Sequence, residues 1–130
     1  MKKILAFTAL GLVLLAGCSA VPAGEAAYRQ ISQEEAKQKM DEETVLVLDV
    51  REQSEYDAGH IPDAVLLPVN DIDEETAADV IPEKDTTVLV YCRSGSRSKT
   101  AAGKLAELGY TEIYEFGGIN TWPYEVESTE

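Results

Sequence analysis

Residues 91–98 read Tyr-Cys-Arg-Ser-Gly-Ser-Arg-Ser. Cys92 closes an apolar run, and a helix-like pattern begins just behind it. Ser94, Gly95 and Ser96 are small enough for the backbone to curl tightly. Successive N–H groups in such a curl form an anion-binding concavity, and the helix that follows adds its positive end. Arg93, Arg97, Lys99 and Lys104 lie between Cys92 and Leu105 with no acid among them. A free thiol has a pKa of about 8.5, and a helix N-terminus with nearby cations lowers it. The stretch therefore predicts a cysteine that is thiolate at neutral pH, hence a nucleophile, in a loop that attracts an anionic substrate. A lone cysteine is more often an inert, buried small hydrophobe. The arginines, the glycine and the strand–loop–helix position argue for reactivity here.

That position follows from the elements on either side. Thr86–Tyr91 and Thr44–Val50 are near-continuous β-branched and apolar runs, the pattern of strands buried on both faces in parallel sheets. Ala64–Leu67 is a shorter strand ended by Pro68, and Glu112–Phe116 fits a last one. Ser32-Gln33-Glu34-Glu35 is a capping box that starts a helix running to about Asp41. Glu52–Ala58 makes a short helix stopped by Gly59, Asp71–Val80 an acidic one, and Ser98–Leu108 an amphipathic one stopped by Gly109. Strands alternate with helices, so the fold class is α/β with a mainly parallel sheet in a single domain. Cys92 stands at the carboxyl end of a strand, where open α/β sheets place ligand sites.

The whole chain has 130 residues and a net charge of −13, from 24 Asp+Glu against 11 Lys+Arg. That balance excludes nucleic acid as a partner, which requires a basic footprint. The N-terminus is a targeting segment: Met1-Lys2-Lys3 is positive, Ile4–Leu15 is apolar apart from Thr8, and Leu15-Ala16-Gly17-Cys18-Ser19 follows. Its apolar stretch is short for a bilayer span and suits a signal peptide. The Leu-Ala-Gly-Cys sequence resembles a bacterial lipobox. The resemblance implies a lipoprotein signal peptide over 1–17, lipid on Cys18, a tether over 18–27 and a folded domain over 28–130. The localisation implied is extracytoplasmic and lipid-anchored, at the cell membrane or an outer membrane. With Cys18 committed to lipid, Cys92 has no disulfide partner within the chain. No cluster of His and Cys supports a metal.

Three ordered motifs resemble one family. Cys92-Arg93-Ser94-Gly95-Ser96-Arg97-Ser98 fits the C-R-x-G-x-R-[ST] loop of the rhodanese sulfurtransferases. Asp49-Val50-Arg51 through Glu55-Tyr56, then Gly59-His60-Ile61-Pro62 and Ala64, fits their D-V-R-x-x-x-E-[YF]-x-x-G-H-I-P-x-A signature. Gly117-Gly118-Ile119-Asn120-Thr121-Trp122 fits the closing G-G-x-x-x-W. The likeness covers about residues 28–125. After Trp122 the chain departs from it: Pro123-Tyr124-Glu125-Val126 replaces a longer loop, which leaves that rim of the site more open. The related tyrosine-phosphatase loop has five residues between Cys and Arg, whereas four separate Cys92 from Arg97, a ring one residue short for phosphate.

The resemblance implies five parallel strands flanked by helices and a sulfurtransferase needing no cofactor. Cys92 is then the nucleophile that takes a sulfane sulfur from a small anionic donor such as thiosulfate, holds it as a persulfide and passes it to cyanide or a thiol, a protein thiol included. Arg93, Ser94, Gly95, Ser96, Arg97 and Ser98 form the cradle that binds the substrate, with Arg93 or Arg97 on the donor's oxygens. Asp49, Arg51 and Trp122 are supporting residues, Asp49 and Arg51 as braces at the strand end and Trp122 as core or pocket wall. His60, the only histidine, sits in Gly-His-Ile-Pro and reads as turn chemistry. Two competing readings are a sulfur-carrier or binding module of the same fold that turns over poorly alone, and a phosphatase or arsenate-handling enzyme, which the loop length disfavours.

Overall fold

A computed structural model describes residues 27–129. The segment expected to be a signal peptide, Cys18 and nearly all of the tether lie outside the described residues.

Five strands form one sheet: β1 (Arg29–Gln30), β2 (Leu46–Asp49), β3 (Val65–Leu66), β4 (Val88–Cys92) and β5 (Ile113–Gly118), in the spatial order β1-β5-β4-β2-β3. Every pairing is parallel. The apolar runs therefore sit in the middle of the sheet, and all five residues of β4 are buried. Sequence patterning did not mark β1. Its two residues are exposed, so no apolar run announces a strand that exists by pairing with Tyr114 and Glu115.

Side chains alternate across the sheet and build two core layers. Val88, Val90 and Cys92 face one side with Ala77, Ile81, Ala101, Ala102 and Leu105, whereas Leu89 and Tyr91 face the other with Ala36, Ile61, Phe116 and Trp122. Helices α3 (Glu74–Val80) and α4 (Ser96–Glu107) cover the first face and α1 (Gln33–Glu42) the second, while α2 (Gln53–Ala58) leads into the Gly59–Ile61 turn. Burying a side chain such as Leu105 contributes about 2 kcal/mol, so the inward stripe of α4 is what fixes that helix on the sheet.

The helix starts are set by caps. Ser32 accepts from the Glu35 N–H at 3.0 Å, as the box predicts. Asp73, rather than Asp71, opens α3: its carboxylate accepts from Thr76 N–H at 2.8 Å while the Thr76 hydroxyl accepts from the Asp73 N–H. Val69–Asp71 is instead a separate short 3-10 turn. Helix α4 begins two residues earlier than its pattern suggests, with Gly95 as N-cap at φ +108°. A residue with a side chain is strained at that angle, which makes Gly95 the point where the loop turns into the helix.

Candidate active site

The early start of α4 decides how Cys92 is held. Only Arg93–Gly95 lie between the end of β4 and the helix, so Ser96–Ser98 are its first turn, whose N–H groups have no intrahelical acceptor. Those groups and the loop amides converge on the sulfur. Gly95 N–H donates to Cys92 Sγ at 3.0 Å, and the thiol donates to the Ser98 hydroxyl oxygen at 3.5 Å. Burial on its own pushes the Cys92 thiol up. The hydrogen bond with the Ser98 side chain and those from the N–H groups of Ser98, Gly95 and Ser94 outweigh it, and the net displacement is downward. Cys92 is 1% exposed, so the sulfur is at the floor of its loop, with the amides turned toward it.

The loop is clamped from below. Between Val90–Glu115 and Cys92–Gly118 the β4/β5 register shifts, giving β5 one extra residue and bringing Gly118 against the loop backbone. A Cβ on Gly118 would lie 1.9 Å from the Arg93 carbonyl oxygen. Asn120 N–H donates to that oxygen at 3.1 Å, and Gln33 of α1 donates to the Gly118 carbonyl at 2.8 Å. The closing Gly-Gly motif thus works as a seat for the cysteine loop.

The two arginines part company. Arg97 makes a two-pronged pair with Glu55, Nη1–Oε2 at 2.8 Å and Nη2–Oε1 at 3.0 Å. That pairing holds the Glu55 carboxyl down at about 2. Arg93 is exposed and, among the described residues, makes no side-chain hydrogen bond or ion pair. It borders a hollow of about 390 Å³ shared with Arg51, Glu55, Ile119 and Asn120. Lys99 is exposed beside the loop, whereas Lys104 is tied to the Val69 carbonyl at 2.8 Å.

Asp49 and Arg51 lie beneath this hollow as a buried ion pair, Nη2–Oδ2 2.7 Å, with a second donation from Nε to Oδ1 at 3.0 Å. Arg51 also donates to the Gly59 carbonyl at 2.6 Å, and the Tyr91 hydroxyl donates to Asp49 at 2.6 Å while accepting from Ile61 N–H at 3.0 Å. The network ties the end of β2, the Gly59–Ile61 turn and the residue before Cys92 into one unit. His60 stacks on Tyr56 at 3.8 Å and has its Nδ1 2.8 Å from the Tyr56 carbonyl, with no contact to the cysteine loop. Trp122 lies in the core against Phe116, at a centroid distance of 5.4 Å, and its Nε1–H donates to the Glu125 carbonyl at 3.3 Å. Beyond it the chain runs back along α2, where Glu127 pairs with His60.

Two residues had no role on sequence grounds. Glu55 was visible as part of a motif, but nothing in one dimension says that it faces Arg97. Glu115 carried no signal beyond being an acid in a strand. The structure buries it to 2% exposure, with its Oε2 2.5 Å from the Ser98 hydroxyl.

The family model of the rhodanese-like domain matches residues 32–124. The chain belongs to the rhodanese family. Among relatives, it is 35% identical over 96 residues to thiosulfate sulfurtransferase GlpE of Coxiella burnetii, covering 73% of this chain and 87% of that one. It is 40% identical over 95 residues to a sulfurtransferase of Allochromatium vinosum, covering 72% and 86%. A solved structure of an Escherichia coli rhodanese with anions superposes with a TM-score of 0.61 at 30% identity, covering 65% of this chain and 99% of that one. The enzyme class is rhodanese-type sulfurtransferase.

Proposed function

We propose that this rhodanese moves a sulfane sulfur from thiosulfate to cyanide or a thiol through a persulfide on Cys92. The Cys92 thiolate attacks the outer sulfur of thiosulfate. The S–S bond of the donor breaks, sulfite leaves with the electron pair, and the outer sulfur remains on Cys92. The acceptor then attacks that outer sulfur, and Cys92 leaves as thiolate. The Ser94, Gly95 and Ser98 amides stabilise the charge at each stage without reorganising. Arg93 meets the donor's oxygens, because Arg97 is engaged by Glu55. The observation that carries this reading is the convergence of those N–H groups on a sulfur whose titration they draw downward.

The decisive assay is thiocyanate release from thiosulfate and cyanide. Steady production that Cys92→Ala abolishes supports the enzyme. Sulfur loading with no turnover favours a carrier module, a reading supported by Cys92 being the single cysteine among the described residues, so that an external thiol must collect the sulfur. Hydrolysis of p-nitrophenyl phosphate without sulfur loading contradicts both.

The proposal places the enzyme on the outer side of a bacterial membrane, anchored by lipid on Cys18. The attachment proposed is the lipid; among the described residues no helix is long and apolar enough to cross a membrane. Labelled palmitate that enters the wild-type chain and is lost in Cys18→Ala supports this; incorporation that persists refutes it.

A further inference from the structure

Alternation along β5 sets Ile113 and Glu115 on the face covered by α4, a face that is otherwise apolar around them. An ionisable group in such a position costs several kcal/mol unless it is well served by donors. Glu115 is: Ser98 Oγ–H and Gly117 N–H donate to Oε2 at 2.5 and 3.0 Å, and Gln30 Nε2 donates to Oε1 at 3.1 Å. The chain Cys92 Sγ–Ser98 Oγ–Glu115 Oε2 is therefore continuous, with links of 3.5 and 2.5 Å. Its middle member, 0% exposed, has one proton and stands between two acids.

We propose that Glu115 is a positioning residue that takes up the Cys92 proton through the Ser98 hydroxyl and returns it when the sulfur is released. The inference rests on the sulfur-transfer reading of the same site. In the forward shift the S–H bond breaks, its proton passes to Ser98 Oγ, and the proton already on Ser98 passes to Glu115 Oε2. Serine ends as it began. One negative charge moves from carboxylate to sulfur, so a buried thiolate forms without a second buried charge and without its proton first crossing to solvent. With Glu115 ionised, Ser98 donates to the carboxylate and the thiol keeps its proton. With Glu115 protonated, the donors run the other way and Ser98 stabilises the thiolate.

The groups facing the pair fit this reading. Toward Glu115 are Ser98 from α4, Gly95 from the loop, Gln30 from β1 and the Gly117 amide, with Lys99 on the same hollow of about 420 Å³. Toward Cys92 the charged group is Arg97, already balanced by Glu55.

The test is the pH dependence of Cys92 alkylation in the whole protein. The wild type shows two steps. Glu115→Gln shows one, its midpoint about one pH unit or more below the wild-type upper step, which is about a tenfold faster reaction between them. In the Ser98→Ala background the same Gln substitution changes the profile far less. An unchanged profile in E115Q overturns the proposal, and so does an equal effect with and without Ser98, which indicates charge acting through space. Because Glu115 also holds the bulge amide of Gly117, a second measurement avoids substituting it. NMR of carboxyl-labelled glutamate at neutral pH shows a protonated Glu115 population in the wild type that is lost in Cys92→Ser. Equal spectra overturn the relay. Neither readout requires sulfur transfer: an intact relay in a protein that never loads sulfur refutes only the sulfur reading.

Discussion

Gly118 lies so close under Arg93 that even a methyl group has no room, with 1.9 Å separating an ideal Cβ from the Arg93 carbonyl oxygen. The contact is backbone against backbone, so no side chain can turn aside. Gly118→Ala must push the cysteine loop off its seat or part β5 from β4. Overpacking of this kind costs about 1–3 kcal/mol. The expected outcome is a lower denaturation midpoint together with slowed Cys92 alkylation at neutral pH, since the amides lose their aim. A variant with wild-type reactivity would show that the loop is not positioned by this contact.

Arg97 and Glu55 form a side-chain bridge between α4 and α2. The carboxyl titrates near 2 in the folded chain, below the ordinary value of about 4.3. Its contribution is thus fully present above the unfolded value and is lost as pH falls toward 2. Both partners are about a third exposed, so solvent screening keeps the effect to about 1 kcal/mol. Denaturation of Glu55→Gln against wild type should show that difference at neutral pH and a narrowing gap between pH 4.5 and 2. A gap that widens on acidification contradicts the assignment.

The buried Asp49–Arg51 pair predicts a different kind of loss. Removing one partner leaves the other charged, buried and unpaired, which costs about 3–5 kcal/mol. Arg51→Ala should therefore unfold at much lower denaturant, while the fraction that remains folded alkylates at Cys92 as the wild type does. A catalytic defect in fully folded protein would move Arg51 from brace to substrate contact.

Arg93 is the loop arginine without a side-chain partner among the described residues, and the proposed function assigns it to the anionic donor. Arg93→Ala should raise KM for thiosulfate about tenfold, the loss of one charge-assisted hydrogen bond of about 1.5 kcal/mol. The pH profile of alkylation should stay as it is. Equal KM values would shift donor binding to Lys99 or to the amides alone.

The sequence announced the central strands because their apolar runs have no polar side: β2 and β4 are each buried on both faces. It pointed to Cys92 because chemistry and punctuation coincide there, a cysteine at a strand end followed by glycine and cations. Strand β1 was silent because pairing, not burial, makes it a strand. The fates of Arg93 and Arg97 were equally illegible, since both lie in one motif and only the fold brings Glu55 to one of them. Glu115 was hidden for a sharper reason. An acid in a strand reads as solvent-facing, and only the packing of α4 on this face of β5 shows that strand alternation turns it toward Ser98.

The central claim is that Cys92 carries the transferred sulfur, and the intact mass of the protein after incubation with thiosulfate tests it most directly. The account predicts a gain of one sulfur atom, absent in Cys92→Ala and removed by cyanide or a thiol. A wild-type mass that does not change, or a gain that survives loss of Cys92, contradicts it.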